Sequence, residues 1–428
     1  MKNFYIKDAE HFIGKKVNLY GWVHEIRETG NFIFIVVRDS TGKLQITIRK
    51  KDFPEKLVEI AKNLHHEDVI GVNGLLIRSE IAKLGIEIIP DEIYIINSAK
   101  HPLLLDVTGK VDAELSTILD GRFLSLRRED YFSIFKIQSE LLRQIREYLY
   151  QRDFTEIISP KIIKFATEGG AELFKIDYFE EKAYLAQSPQ IYKEMCAGVF
   201  EKVFEIGQYY RAEKSRTPYH LSEFISFDVE CAFYSYQDIM DLLESLLKEV
   251  INVTYERASK HFDALKVNRI NLDYKFERIK YEEVIGMLEK YGLKWGDDIS
   301  SQYMKLIEEK IGKKFYFITD WPTILKPFYT YEHENNRNLT KSFDLNYGFL
   351  EIASGGERIY KSEQIVEKLK RFGLNVENFE TYIKALEAGA PPHAGFGLGL
   401  SRLLMILTGK KNIKEVVLFP RDVDRLVP

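Results

Sequence analysis

The first hundred residues constrain the fold more than any other stretch. Five short runs, 17–23, 32–38, 43–49, 69–76 and 86–96, are rich in Val, Ile and aromatic residues. That composition suits strands with one face buried. Turn-forming residues divide the runs, as at Thr29-Gly30-Asn31 and Ser40-Thr41-Gly42. Between the third and fourth runs, 54–64 repeats its apolar residues at helical spacing. Five strands with one helix between the third and fourth is the element order of an OB-fold β-barrel, predicted here for 1–105.

The chain has 428 residues, too many for one ordinary core, so further domains are expected. Segment 106–130 reads as a linker or hinge, with Pro102 just before it and Gly109 and Gly121 within it. A long helix is predicted next, because Phe132, Ile134, Ile137, Leu141, Ile145 and Leu149 fall on one face. The remainder, 131–428, mixes strands and helices without regular βαβ alternation. That favours an α+β catalytic domain with a mainly antiparallel sheet.

No run of about 18 apolar residues occurs, so no membrane span is expected. The opening Met1-Lys2-Asn3-Phe4-Tyr5 lacks a secretory pattern. Cys196 and Cys231 form neither a disulfide framework nor a zinc set, which fits a reducing, cytoplasmic setting. The net charge of −4 argues against a protein coated in nucleic acid, yet leaves room for local basic surfaces.

Three stretches carry chemistry. Tyr210-Arg211-Ala212-Glu213 ends a predicted strand, and His220-Leu221-Ser222-Glu223-Phe224 opens another that continues to Asp228-Val229-Glu230. A hairpin of this kind can hold a phosphate against Arg211 and a base against Phe224. Its bland alternative is a surface ion pair beside a loop. Gly395-Phe396-Gly397-Leu398-Gly399-Leu400-Ser401-Arg402 runs into an apolar helix. Such glycines let backbone approach a ligand at a helix start, or only let elements pack closely. Phe343-Asp344 is followed by Glu351, Ser354-Gly355-Gly356 and Arg358. Two carboxylates near glycines suit magnesium, or are simply exposed acids at strand ends.

In this order the three stretches resemble motifs 2 and 3 of the class II aminoacyl-tRNA synthetases. Ile157-Ile158-Ser159-Pro160, after the long helix, resembles motif 1, which in that family builds a homodimer interface. A leading OB domain marks the aspartate, asparagine and lysine subgroup. Thr167-Glu168-Gly169-Gly170-Ala171-Glu172-Leu173-Phe174, Gln187-Ser188-Pro189-Gln190-Ile191-Tyr192-Lys193 and the terminal Leu418-Phe419-Pro420-Arg421-Asp422 are similar to its archaeal and eukaryotic aspartyl branch.

The resemblance implies a ligase that activates L-aspartate with ATP and loads it onto tRNA-Asp. Arg211, Arg402 and Glu351 would be catalytic. Glu213, His220, Leu221, Phe224 and Gly399 would join them around ATP, with the adenine between Phe224 and Arg402. Asp344, Glu351 and Ser354 would hold Mg2+. Glu168, Ser188, Gln190, Lys193, Asp228, Ser354 and Arg358 would bind aspartate. In that set Lys193 and Arg358 supply charge for the side-chain carboxylate, Asp228 orients the two cations, and the residues around Glu168 close as a flap. In the barrel, Arg27, Phe34 and Gln45 stand where the family reads the anticodon, although Phe34 in an alternating strand also suits the core. The acceptor range, tRNA-Asp alone or tRNA-Asn as well, stays open; His24 and Lys83 lie where tolerance for the third anticodon base can be set.

Two departures stand out. Ser215-Arg216-Thr217 looks like the asparaginyl enzymes, and Tyr219 stands where many relatives have arginine. An asparaginyl enzyme is therefore the first alternative, opposed by Lys193, since a buried ammonium suits a carboxylate better than an amide. A catalytically dead RNA-binding paralogue is opposed by the intact motifs, and an asparagine-forming ligase by the attached barrel.

Overall fold

The computed structural model describes residues 2, 4–165 and 172–428. The chain divides into two compact units, Met1–Asp112 and Ala113–Pro428. The division falls inside the stretch read as a linker. Beyond it Leu115–Asp120 and Arg122–Ser125 are helical, and Arg122 is fully buried. Its guanidinium donates to the carbonyls of Glu415, Val417 and Leu418 at 2.6–2.9 Å.

In the first unit β1 (Lys16–Thr29), β2 (Phe32–Arg38), β3 (Lys43–Arg49), β4 (Val69–Arg78) and β5 (Ile86–Asn97) close into a barrel of order β1-β2-β3-β5-β4. Helix α1 (Glu55–Lys62) lies between β3 and β4 in the chain, as the sequence pattern predicts. Strict alternation sends Ile33, Ile35 and Val37 inward with Ile46 and Ile48 of the next strand, all at most 1 % exposed. Each such side chain contributes about 1.5–3 kcal/mol by leaving water.

The second unit is built on an eight-stranded sheet. In chain order its strands are β6 (Thr155–Glu156), β7 (Lys202–Tyr210), β8 (Glu223–Ala232), β9 (Glu277–Lys280), β10 (Phe315–Thr319), β11 (Ser342–Tyr347), β12 (Leu350–Glu357) and β13 (His393–Gly399). Their spatial order is β9-β10-β11-β12-β13-β8-β7-β6, antiparallel except for the two outermost pairs. Helices α2 (Glu129–Tyr150) and α4 (Tyr236–Arg257) pack together, and α4 lies on β11, β12 and β13. A capping box starts α4: Ser235 and Asp238 satisfy each other's backbone N–H groups.

The buried face of α2 differs from the predicted one at its start. Tyr131, not Phe132, is buried there. The Arg122 guanidinium lies 4.9 Å from its ring centroid, and its hydroxyl lies 3.3 Å from Glu415 Oε1. A partner for the polar end lets a tyrosine take a core position.

Candidate functional site

Alternation along β8 decides where the chemistry sits. Phe227, Val229 and Cys231 enter the apolar core, so Ser226, Asp228 and Glu230 share the opposite face. Asp228 is registered with Gly397 and Glu230 with Gly395 of β13. A Cβ on Gly395 would stand 2.2 Å from Glu230 Oε2, so only glycine leaves that carboxylate room. Above this floor lies a cavity of about 370 Å3, whose walls include Ser188, Gln190, Arg211, Phe224, Glu351, Arg358 and Arg402.

At one end of the cavity charges interlock. Helix α3 (Gln190–Phe200) presents Gln190 at its first turn and Lys193 one residue short of the next. Gln190 lines the cavity, but Lys193 does not. Its ammonium is 1 % exposed and lies beneath the wall, donating to Asp228 Oδ1 at 3.0 Å and the Phe396 carbonyl at 3.1 Å, with Glu230 Oε2 at 3.4 Å. A solvated helix lysine is thereby ruled out. Arg358 does line the cavity, and its guanidinium is forked onto Glu230 at 3.0 and 3.4 Å. Burial disfavours its charge, but Glu230 more than offsets this and holds the guanidinium firmly protonated.

A second buried group supports Gln190. Its amide nitrogen lies 2.6 Å from Glu194 Oε1, four residues on along α3. Glu194 Oε2 also accepts from the Tyr382 hydroxyl at 2.5 Å and meets His393 Nε2 at 3.2 Å. His393 Nδ1 lies 2.8 Å from the Pro391 carbonyl, which can only accept. Both imidazole nitrogens therefore act as donors. Despite burial, Glu194 holds the imidazole above its ordinary range, and His393 holds Glu194 below its own.

At the other end, β7 and β8 form the hairpin predicted from sequence. Arg211 lies over the Phe224 ring at 5.2 Å, and its buried Nε has no partner. Arg402, in the first turn of the helix Leu400–Leu407 after Gly399, donates to the Glu351 carbonyl at 2.7 Å. It also approaches His220 Nε2 at 3.5 Å, and His220 Nδ1 lies 2.5 Å from Thr217 Oγ1. Burial, then the Arg402 charge, lowers the His220 pKa. Glu213 and Leu221 complete this wall. Tyr219 packs edge-on against Phe349, with centroids 5.7 Å apart.

Asp344 is the cross-strand partner of Ser354, which places both side chains on one sheet face. Glu351 and Ser354 line the cavity, whereas Asp344 does not. Lys326 Nζ caps both Asp344 oxygens at 2.6 and 2.7 Å. Desolvation, then the Asp344 charge, raises the Glu351 pKa. Among the described residues no group of three or more His, Cys, Asp or Glu stands ready to hold a metal on its own. Glu168, expected at the amino-acid end, lies outside the described residues.

In the barrel, Phe34 is half-buried between the core residues Ile33 and Ile35, so it faces outward and not into the core. Its cross-strand neighbours are Arg27 and Thr47, and it stacks on Phe32 with centroids 5.8 Å apart. Gln45, one row along, donates to Thr47 Oγ1 at 3.2 Å and Glu87 Oε2 at 3.1 Å. Arg27, Phe34 and Gln45 thus share one outer face.

Sequence reasoning missed Glu230, Glu194, His393 and Lys326. Glu230 had a signal, since it follows Asp228 by two residues in a strand. Glu194 had one as well, four residues after Gln190 in a helix. Lys326, in a loop, and His393, at the start of β13, meet Asp344 and Glu194 only through the tertiary fold.

Comparison with known proteins gives a consistent picture. Residues 114–423 match the family "tRNA synthetases class II (D, K and N)", and 17–96 match the "OB-fold nucleic acid binding domain". The chain is 46% identical to the aspartate–tRNA(Asp/Asn) ligase of Archaeoglobus fulgidus over 97% of each chain. It is 46% identical to the aspartate–tRNA(Asp) ligase of Pyrococcus abyssi over 98% of each. Among solved structures it is similar to asparaginyl-tRNA synthetase of Pyrococcus horikoshii with asparaginyl-adenylate. That likeness has a TM-score of 0.94 at 31% identity over 99% of both chains.

Proposed function

The chain belongs to the class II tRNA synthetases of the D, K and N group, and from that premise we propose that it joins L-aspartate to tRNA-Asp through an aspartyl-adenylate made from ATP. The observation that carries the choice of aspartate is Arg358. It is a firmly charged guanidinium at the cavity wall, forked onto Glu230 and backed by the buried Lys193. A forked donor in a closed site suits a carboxylate and pairs poorly with an amide. Relatives 46% identical over nearly the whole chain are named as aspartate ligases, so the asparaginyl alternative is not favoured.

The chemistry follows from the layout. An oxygen of the aspartate α-carboxylate attacks the α-phosphorus, a P–O bond forms, and pyrophosphate leaves. A hydroxyl of the terminal tRNA adenosine then attacks the acyl carbon, and AMP leaves with the electron pair of the broken C–O bond. Both steps place charge on phosphoryl or carbonyl oxygens that fixed cations offset. Arg211, with an unpartnered Nε, is suited to the α-phosphate. Phe224 offers a face to the adenine, and Arg402 would close over the other. Gln190, Ser188 and Glu168 would take the ammonium end of aspartate. Asp228 positions Lys193 and thereby Glu230 and Arg358.

The acidic pair fits magnesium. Asp344 and Glu351 are hard oxygen donors of the kind that magnesium prefers, and Ser354 is the cross-strand partner of Asp344. Asp344, Glu351 and Ser354 would hold the ion, which neutralises the phosphate tail when bound.

Arg27, Phe34 and Gln45 form one outer face suited to an unstacked base, its edge and a backbone phosphate. Ile158 of the motif 1 segment is 91% exposed in the single chain, which supports a homodimer closed through that segment. No described helix is long and apolar enough to cross a membrane. Incubating the protein with ATP and equal aspartate and asparagine, then weighing the enzyme-bound adenylate, tests the proposal. Aspartyl-adenylate is expected, and asparaginyl-adenylate refutes it.

A further inference from the structure

Among the described residues, Lys326 is the one cation of the cavity wall without a place in the reaction above. It precedes Pro327, has an extended backbone, and lies with its ammonium 4.6 Å from the Trp321 ring centroid. Its side chain is 10% exposed and that of Asp344 is 7% exposed. Lys326 borders the cavity, Asp344 does not, and the ammonium meets both carboxylate oxygens. A divalent cation entering from the cavity therefore finds Glu351 accessible but Asp344 already capped by a positive charge.

The two cations compete for one carboxylate. Magnesium needs carboxylate oxygen at about 2.0–2.1 Å, and the Lys326 ammonium, in contact with both oxygens, occupies the side on which a cation would bridge them and repels one that approaches the remaining lone pairs. Among the described residues at this end, Arg211, Lys326 and Arg402 stand against Glu213, Asp344 and Glu351. A bare divalent cation would add charge where each of these carboxylates already has a cation to match it. ATP brings anionic oxygens that can take over the Lys326 ammonium while its metal takes Asp344.

We propose that Lys326 is an internal counter-ion that closes the Asp344 position until nucleotide arrives, so that the divalent cation is admitted only together with the polyphosphate. This rests on the reading of Asp344 and Glu351 as metal ligands. Lys326 acts by positioning: it exchanges Asp344 for the phosphate tail, and no bond is made or broken. One consequence is that ATP and metal bind in a coupled manner. Another is that free metal does not rigidify the empty site.

Manganese(II) titration followed by electron paramagnetic resonance reads this directly, on the full chain, with and without α,β-methylene-ATP. The wild-type protein should hold manganese only with the nucleotide analogue. Lys326→Met and Lys326→Gln should bind manganese without nucleotide at least tenfold more tightly than wild type. Lys326→Arg keeps the positive charge and should still exclude the metal; it answers the question in a folded protein if the neutral variants are unstable. Tight manganese binding by wild type or Lys326→Arg without nucleotide would overturn the proposal, as would neutral variants no better than wild type. An Asp344→Asn, Glu351→Gln double variant separates the two readings. If it holds manganese with the analogue as well as wild type does, the metal assignment itself fails.

Discussion

Replacing Lys193 by methionine tests the charged cluster beneath the cavity. The change keeps the length of the side chain and removes its charge. In the native protein Asp228 has the Lys193 ammonium at 3.0 Å and the Ser226 hydroxyl at 2.5 Å, while Glu230 has Lys193 at 3.4 Å and Arg358 at 3.0 Å. Without Lys193, Glu230 keeps a cation, but Asp228, 4% exposed, keeps only a hydroxyl. Removing one partner of a buried pair costs about 3–5 kcal/mol, because the remaining charge is uncompensated. Part of this appears as lost stability. The rest appears as a distorted aspartate pocket, since Glu230 would turn toward Arg358 and compete with substrate. At ~1.4 kcal/mol per factor of ten, a loss of roughly a hundredfold in kcat/KM for aspartate is expected. The KM for ATP should change little, because Arg211, Phe224 and Arg402 are untouched. Pyrophosphate exchange at varied aspartate and fixed ATP, then the reverse, measures both. Urea denaturation of Lys193→Met, Asp228→Asn and the double variant gives the coupling, expected at about 0.5–3 kcal/mol. Additive effects with unchanged aspartate dependence would refute the reasoning.

Arg358→Lys should lower kcat/KM for aspartate by at least tenfold, as a point charge cannot reproduce a forked contact; near-native exchange kinetics would count against Arg358 as the carboxylate reader. Stability should fall on the alkaline side through the buried His393–Glu194 pair. Glu194 keeps His393 above its ordinary 6.5, so that contribution is full below 6.5 and is lost as pH rises through the folded value; Glu194, held below its ordinary 4.5, contributes above 4.5. The urea midpoint should therefore drop more between about pH 6 and pH 9 in wild type than in His393→Gln, and parallel profiles would remove the charged pair from the account. Deleting 1–112, the first compact unit, should leave aspartate-dependent exchange largely intact while tRNA charging collapses; equal loss of both in a folded fragment would contradict that division. Light scattering should give about twice the 50.1 kDa chain mass, and a monomer would refute the dimer.

Much of this arrangement is legible in the sequence where local rules suffice. The barrel strands follow from runs of Val, Ile and aromatic residues divided by turn residues, and α1 from helical spacing between the third and fourth runs. The two ends of the cavity follow from short motifs that each have an ordinary alternative alone but point to one site when taken together in their order. Legibility ends where partners are chosen by sheet register. Lys193 is readable as a cation but not as one buried under the wall, because its partners Asp228 and Glu230 gain their direction only once β8 pairs with β13. Asp344 is readable as an acid, but its capping by Lys326 depends on a loop 18 residues away in sequence. Arg122 was lost in an apparent linker because its binding partners are carbonyls almost 300 residues later.

The central claim is that the cavity is built for aspartate. Pyrophosphate exchange without tRNA, driven separately by aspartate, asparagine and lysine under the same conditions, tests it most directly. The account predicts exchange driven by aspartate, with the other two near background. Exchange driven by asparagine, or by none of the three in a folded protein, would contradict it.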